Sequence, residues 1–162
     1  MPLFKPCLFL LGIFLLSLVP ALPLHAEDDR LQQAAELRDS EPAKALEIAR
    51  DVLEESQASG DERTAALARL QLAHALEVLG GHDEALVILD DAERQFRQEG
   101  ATAQLADALK LRGAILFYQG SYDRALEAFQ NAHELHEANN NPAGQAEALN
   151  RMGRVYDSQG NS

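Results

Sequence analysis

The sequence predicts an all-α chain built as an α-solenoid of stacked antiparallel helix pairs. Three observations predict it. Residues recur at a spacing of 40: Gly80, Gly120 and Gly160; Ala66, Ala106 and Ala146; Ala45, Ala85 and Ala125. Within each unit the apolar residues fall at helical spacing, as in Ala125, Leu126, Phe129 and Ala132 at i, i+1, i+4 and i+7. Alternating apolar runs that would signal strands are absent. No such helix pair buries its apolar stripe alone, so stacking on neighbours makes the core.

Residues 1–26 differ from the rest. Lys5 is the one charged side chain before Glu27, and Leu8 to Val19 is an apolar run of twelve, interrupted by Gly12 and Ser17. Pro20 and Pro23 follow, then Leu24-His25-Ala26 and the acidic Glu27-Asp28-Asp29. A basic start, a short apolar core, helix breakers and a small residue read as a secretory signal peptide, cleaved after Ala26. The run falls short of the roughly 20 residues that span a bilayer. Cys7, the single cysteine, precedes the apolar core and leaves with the leader.

The mature chain then carries 13 Lys and Arg against 26 Asp and Glu, a formal charge of −13. That balance excludes a nucleic-acid partner, which needs a basic face. An apolar fraction of 46% excludes a wholly disordered chain. With no cysteine left, neither a disulfide framework nor thiol chemistry is available.

The helices follow in order. The first is expected over about 29–39, closed by Ser40-Glu41-Pro42, a polar cap before a proline that starts the second over about 42–58. Ser59-Gly60-Asp61 turns the chain into a third helix over about 62–79. Gly80-Gly81 ends that helix and a fourth runs to about 99. Gly100-Ala101-Thr102 leads to a fifth over about 102–119, and Gly120-Ser121 to a sixth over about 122–138. Asn139-Asn140-Asn141-Pro142 opens a seventh over about 142–159. The repeat region is 27–162, with units 27–60, 61–100, 101–140 and an incomplete 141–162. Ala73, Gly113 and Gly153 are the small residues that let paired helices approach, and Leu76, Leu116, Tyr156, Leu89 and Phe129 the large ones that fill between pairs.

These residues resemble a known family. Ala108-Leu109, Gly113, Gly120-Ser121-Tyr122, Ala125-Leu126, Phe129 and Ala132 look like a tetratricopeptide repeat, and Ala148-Leu149, Met152-Gly153, Tyr156 and Gly160 like the first half of another. Leucine stands in the usual tryptophan slot, and the 40-residue period is similar to the longer variety of bacterial regulators and kinesin light chains. The resemblance implies a right-handed superhelix of about 3.5 repeats whose first helices line a concave groove. By that resemblance the groove residues are Leu70, His74, Glu77, Lys110, Phe117, Tyr118, Asn150, Arg154 and Asp157. A peptide would dock on Phe117 and Tyr118, with Lys110 and Arg154 supplying charge. The lysine–asparagine carboxylate clamp of chaperone-binding members is replaced by Leu70 and His74.

Chemistry-bearing motifs are weak. His133-Glu134-Leu135-His136-Glu137 has histidines at i, i+3 rather than the i, i+4 of a metalloprotease helix, and reads as an exposed face. Glu54-Glu55 and Asp90-Asp91-Glu93 read as solvated faces. The expectation is therefore a non-enzyme without metal or cofactor, a protein- or peptide-binding scaffold that is periplasmic or secreted and has no membrane span once mature. Two further readings stand beside it. The seventh helix lacks its pair, as if the chain were the N-terminal piece of a longer protein, similar to the sensing half of membrane-bound diguanylate cyclases or histidine kinases. The third reading is a structural module that forms a homodimer through that unpaired helix.

Overall fold

The computed structural model describes residues 24–160. Seven helices follow one another: α1 Leu24–Leu37, α2 Pro42–Ser59, α3 Glu62–Val78, α4 His82–Glu99, α5 Thr102–Tyr118, α6 Tyr122–Ala138 and α7 Pro142–Gly160. No strand occurs among the described residues. The leader read over 1–26 lies outside the described residues up to 23; its last three residues open α1. That helix starts earlier than the sequence reading placed it. Nothing between Leu24 and Asp28 breaks a helix. It ends early because the amides of Ser40 and Glu41 bond back to the Leu37 carbonyl, at 3.2 and 2.7 Å, and Pro42 bars the residue before it from the helix.

One turn chemistry joins the helices. A left-handed residue recurs every twenty positions, at Gly60, Gly80, Gly100, Gly120 and Asn140 (φ 53°). The amide that follows reaches back five residues, as from Gly81 to Leu76 at 2.8 Å and from Ser121 to Leu116 at 2.8 Å. That closure satisfies the carbonyls a helix leaves open at its end. Glycine meets the positive φ without a Cβ penalty, and asparagine is the tolerated substitute. Asp61 caps α3 by accepting from the Thr64 amide at 3.1 Å, and Asn141 accepts from Gly144 at 3.0 Å at the start of α7. Gly160, expected as the next turn, instead belongs to the last turn of α7.

Each helix packs on its neighbours in sequence, and α1, α3, α5 and α7 also touch one another in order. Among the described residues α2, α4 and α6 make no such mutual contact. The odd-numbered helices therefore form the closer, inner layer of the stack. The main core runs from α2 to α6 around Leu72, Leu76, Leu89, Phe96, Leu109 and Ile115. A second cluster of Leu116, Ala125, Phe129 and Val155 attaches α7.

The close approach at Gly113 is real: a Cβ there would fall 2.6 Å from the Phe129 ring. The sequence assigned the same role to Gly153 and a filling role to Tyr156. Gly153 instead faces nothing within 4 Å, and Tyr156 is 57% exposed, because no helix covers that side of α7 among the described residues.

Candidate functional site

A groove of about 480 Å³ runs along the inner layer. Leu70 of α3 and Leu111 and Ala114 of α5 are buried beneath it. Its upper wall is apolar and open: Val78 ends α3 and Tyr118 ends α5, both exposed. Tyr118 stacks on His82 with ring centroids 6.0 Å apart.

Charged side chains line the rest. Arg38 and Asp39, just beyond α1, form a pair at 3.5 Å. Glu77 comes from α3, Asp107 and Lys110 from α5, and Glu147 and Arg151 from α7. Lys110 lies 2.9 Å from Glu147 and 3.4 Å from Asp107, while Arg151 lies 3.2 Å from Glu147. Burial works against the Glu147 charge, but the hydrogen bonds and charges of Lys110 and Arg151 outweigh it and hold the carboxyl below its ordinary range. His74 also lines the groove. Burial, followed by the charges of Arg38 and Lys110, lowers its pKa to about 4, so the ring is neutral at pH 7.

A shallow notch continues the groove past Tyr118. It is lined by Phe117, Phe129 and Arg154, and shares Ala114, Tyr118 and Arg151 with the groove. Phe117 is half-buried against Tyr122, with centroids 5.8 Å apart, and the Arg154 guanidinium lies 5.5 Å over its face.

Of the nine residues read from the sequence, Leu70, His74, Glu77, Lys110 and Tyr118 line the groove and Phe117 and Arg154 the notch. Asn150 and Asp157 are exposed and line neither. On α7 the side toward Lys110 carries Glu147 and Arg151, and Asn150, three residues on from Glu147, turns roughly 60° away. The sequence reading missed Arg38, Asp39, Gln71, Asp107, Glu147 and Arg151. Opposite charges at i, i+3 and i+4, as in Asp107–Lys110 and Glu147–Arg151, were the available signal.

Each of two faces read as solvated holds one covered residue among exposed ones. Glu93 is 4% exposed and receives Arg112 Nε at 2.6 Å, while Arg112 also reaches Asp90 at 2.6 Å. An α5 arginine thus folds an α4 carboxylate into the stack. His136 is 4% exposed as well. Counting by 40, it occupies the slot of buried Phe96 and Ser56. Its ring lies against Gly144, its Nδ1 is 3.3 Å from Asn141 Nδ2, and its Nε2 has no hydrogen-bond partner. Among the described residues no three His, Cys, Asp or Glu side chains gather in a metal-holding group, and no helix is long and apolar enough to cross a membrane.

A family model described as tetratricopeptide repeat matches residues 104–162. This stretch covers α5, α6 and α7 almost entirely. The match supports a tetratricopeptide-repeat assignment for that part of the chain, and with it a protein-interaction role. No curated protein matches the chain significantly.

Proposed function

We propose that the chain is a non-catalytic scaffold which holds a peptide segment of a partner protein in the groove along α3, α5 and α7. The observation that carries this reading is the groove itself: a buried aliphatic floor, an exposed Val78–Tyr118 rim and a charged wall. Such a surface offers apolar anchorage at one edge and polar orientation at the other, the arrangement that peptide grooves use. Lys110 and Arg151 already share Glu147. The wall's charges are therefore largely satisfied within the protein, and Tyr118, Val78 and the Arg154–Phe117 edge supply the contacts. The composition of residues 1–26 supports export, with capture taking place in the cell envelope or outside it.

Site-specific photocrosslinking tests the groove. A benzophenone side chain replacing Tyr118 is expected to yield discrete adducts with envelope proteins. The same probe replacing Val87, which is 67% exposed on α4 and outside the groove, is expected to yield few. Equal adducts from both positions would end the groove reading. Export is tested by sequencing the N-terminus of the chain recovered from the envelope, which should begin at Glu27.

A further inference from the structure

The charged wall of the groove is lopsided. In each of its ion pairs the carboxylate stands further into solvent than the cation. Asp39 is 83% exposed against 33% for Arg38. Asp107 and Glu147 are 51% and 42% exposed, whereas the Lys110 they share is 22% exposed. Arg151, at 34%, is also more covered than its partner Glu147. An incoming chain therefore meets carboxylates first. Glu77 adds one that has no ion-pair partner among the described residues. The cations are occupied, but the acids keep acceptor capacity. Asp107 meets Lys110 through Oδ1 alone, and a carboxylate offers about four acceptor sites.

We propose, resting on the groove reading above, that the partner segment held there is basic and sets lysine or arginine side chains against these carboxylates. The acids form two stations. Asp107 and Glu147 lie in the first halves of α5 and α7, and Glu77 lies at the far end of α3, next to Val78 of the rim. Tyr118 ends α5 and supplies an exposed ring there, a face that also attracts a cation. Asp107 and Tyr118 are eleven residues apart on α5, a rise of about 16 Å. An extended chain covers that in about five residues. The segment thus carries two basic residues about five apart, with apolar residues between them over Leu70 and Leu111.

The charge of the whole chain favours this occupant. With 26 acidic against 14 basic side chains, its field draws a basic segment in and turns an acidic one away. Residues 1–23 do not supply the segment themselves, since Lys5 is their one charged side chain.

Three fluorescent peptides test the proposal, titrated into the full chain by anisotropy. The first has two lysines five residues apart with leucine and alanine between them; the others carry glutamine or glutamate in place of lysine. The lysine peptide is expected to bind saturably, the glutamine peptide about tenfold more weakly and the glutamate peptide not at all. Glu77→Gln with Asp107→Asn in the chain should weaken the lysine peptide about fivefold. Asp51→Asn with Glu54→Gln removes the same charge from exposed positions on α2, outside the groove, and should leave binding nearly unchanged. Equal weakening by the two pairs would mark general attraction to an acidic chain and overturn the proposal. A glutamine or glutamate peptide that binds as tightly as the lysine peptide, and is lost with Tyr118→Ala, would overturn it while leaving the groove reading in place. Absence of binding by all three overturns it as well, and crosslinking from position 118 then judges the groove separately.

Discussion

Helices α5 and α7 are written in nearly the same pattern and live in different surroundings. On α5 the stripe Ala106, Leu109, Gly113 and Leu116 is closed under α6. On α7 the matching stripe is exposed, and among the described residues nothing fills its notch at Gly153. The same residue types thus hold the stack together in one place and stand uncovered among the described residues in the other. The pattern specifies what a face can receive; a neighbouring helix decides whether that face is core or interface.

The largest contrast is expected at the large residues. Leu116 is 1% exposed, and Leu116→Ala removes its contacts with the α6 side of the core and leaves a cavity. Such truncations cost about 2–5 kcal/mol. Its counterpart Tyr156 is mostly exposed, so Tyr156→Ala is expected to change stability by no more than about 0.5 kcal/mol. Urea unfolding of both variants measures the difference. Equal losses would mean that α7 is covered after all.

Three glycines give the next contrast. A Cβ on Gly113 would fall within 3 Å of the Phe129 ring, and one on Gly144 within 3 Å of the His136 ring. Alanine at either position is expected to cost about 1–3 kcal/mol by overpacking. Gly153 lies on the same helix as Gly144 but on its open side, and Gly153→Ala is expected to add up to about 1 kcal/mol, the helix-propensity gain. Opposite signs for two Gly→Ala changes on α7 would separate its seated face from its free face. Thermal melts of the three variants are the check.

How much of this was legible in the sequence follows from the same distinction. The helices were, because the punctuation is local: a glycine or asparagine every twenty residues forces a turn whatever packs nearby. The groove was legible in part. Leu70, His74 and Lys110 stand at inner-layer positions of a regular repeat. Which turn of α7 faces Lys110 depends on how the helices are set against one another, and periodicity alone does not fix that, so Glu147 and Arg151 went unseen. His136 and Glu93 were misread for a related reason. Each is a polar residue at a covered position, where its type argues for water and its position argues for core.

The groove side of α3 supplies a pH contrast. The His74 pKa is about 4 in the folded chain against the ordinary 6.5. In that window the unfolded chain binds the extra proton, so stability is complete above about pH 6.5 and declines as pH falls toward 4. The decline due to His74 is expected to be roughly 1–3 kcal/mol. His74→Gln should flatten it, and urea midpoints at pH 7.5, 5.5 and 4.5 make the comparison. A slope unchanged by the substitution would place the proton uptake elsewhere.

The smallest effect concerns the tie between the two helices first compared. Lys110 on α5 and Glu147 on α7 meet at 2.9 Å across the groove, each also paired on its own helix. Partly exposed pairs of this kind are worth about 0.2–1 kcal/mol. A double-mutant cycle of Lys110→Met and Glu147→Gln is expected to return a coupling in that range, shrinking in high salt. That number has a structural meaning beyond its size. If coupling is absent while Gly144→Ala remains costly, α7 is held by α6 alone and its groove side is free to move when a peptide enters. If coupling is present, α5 and α7 form a fixed wall, and a bound segment must fit the groove as it stands.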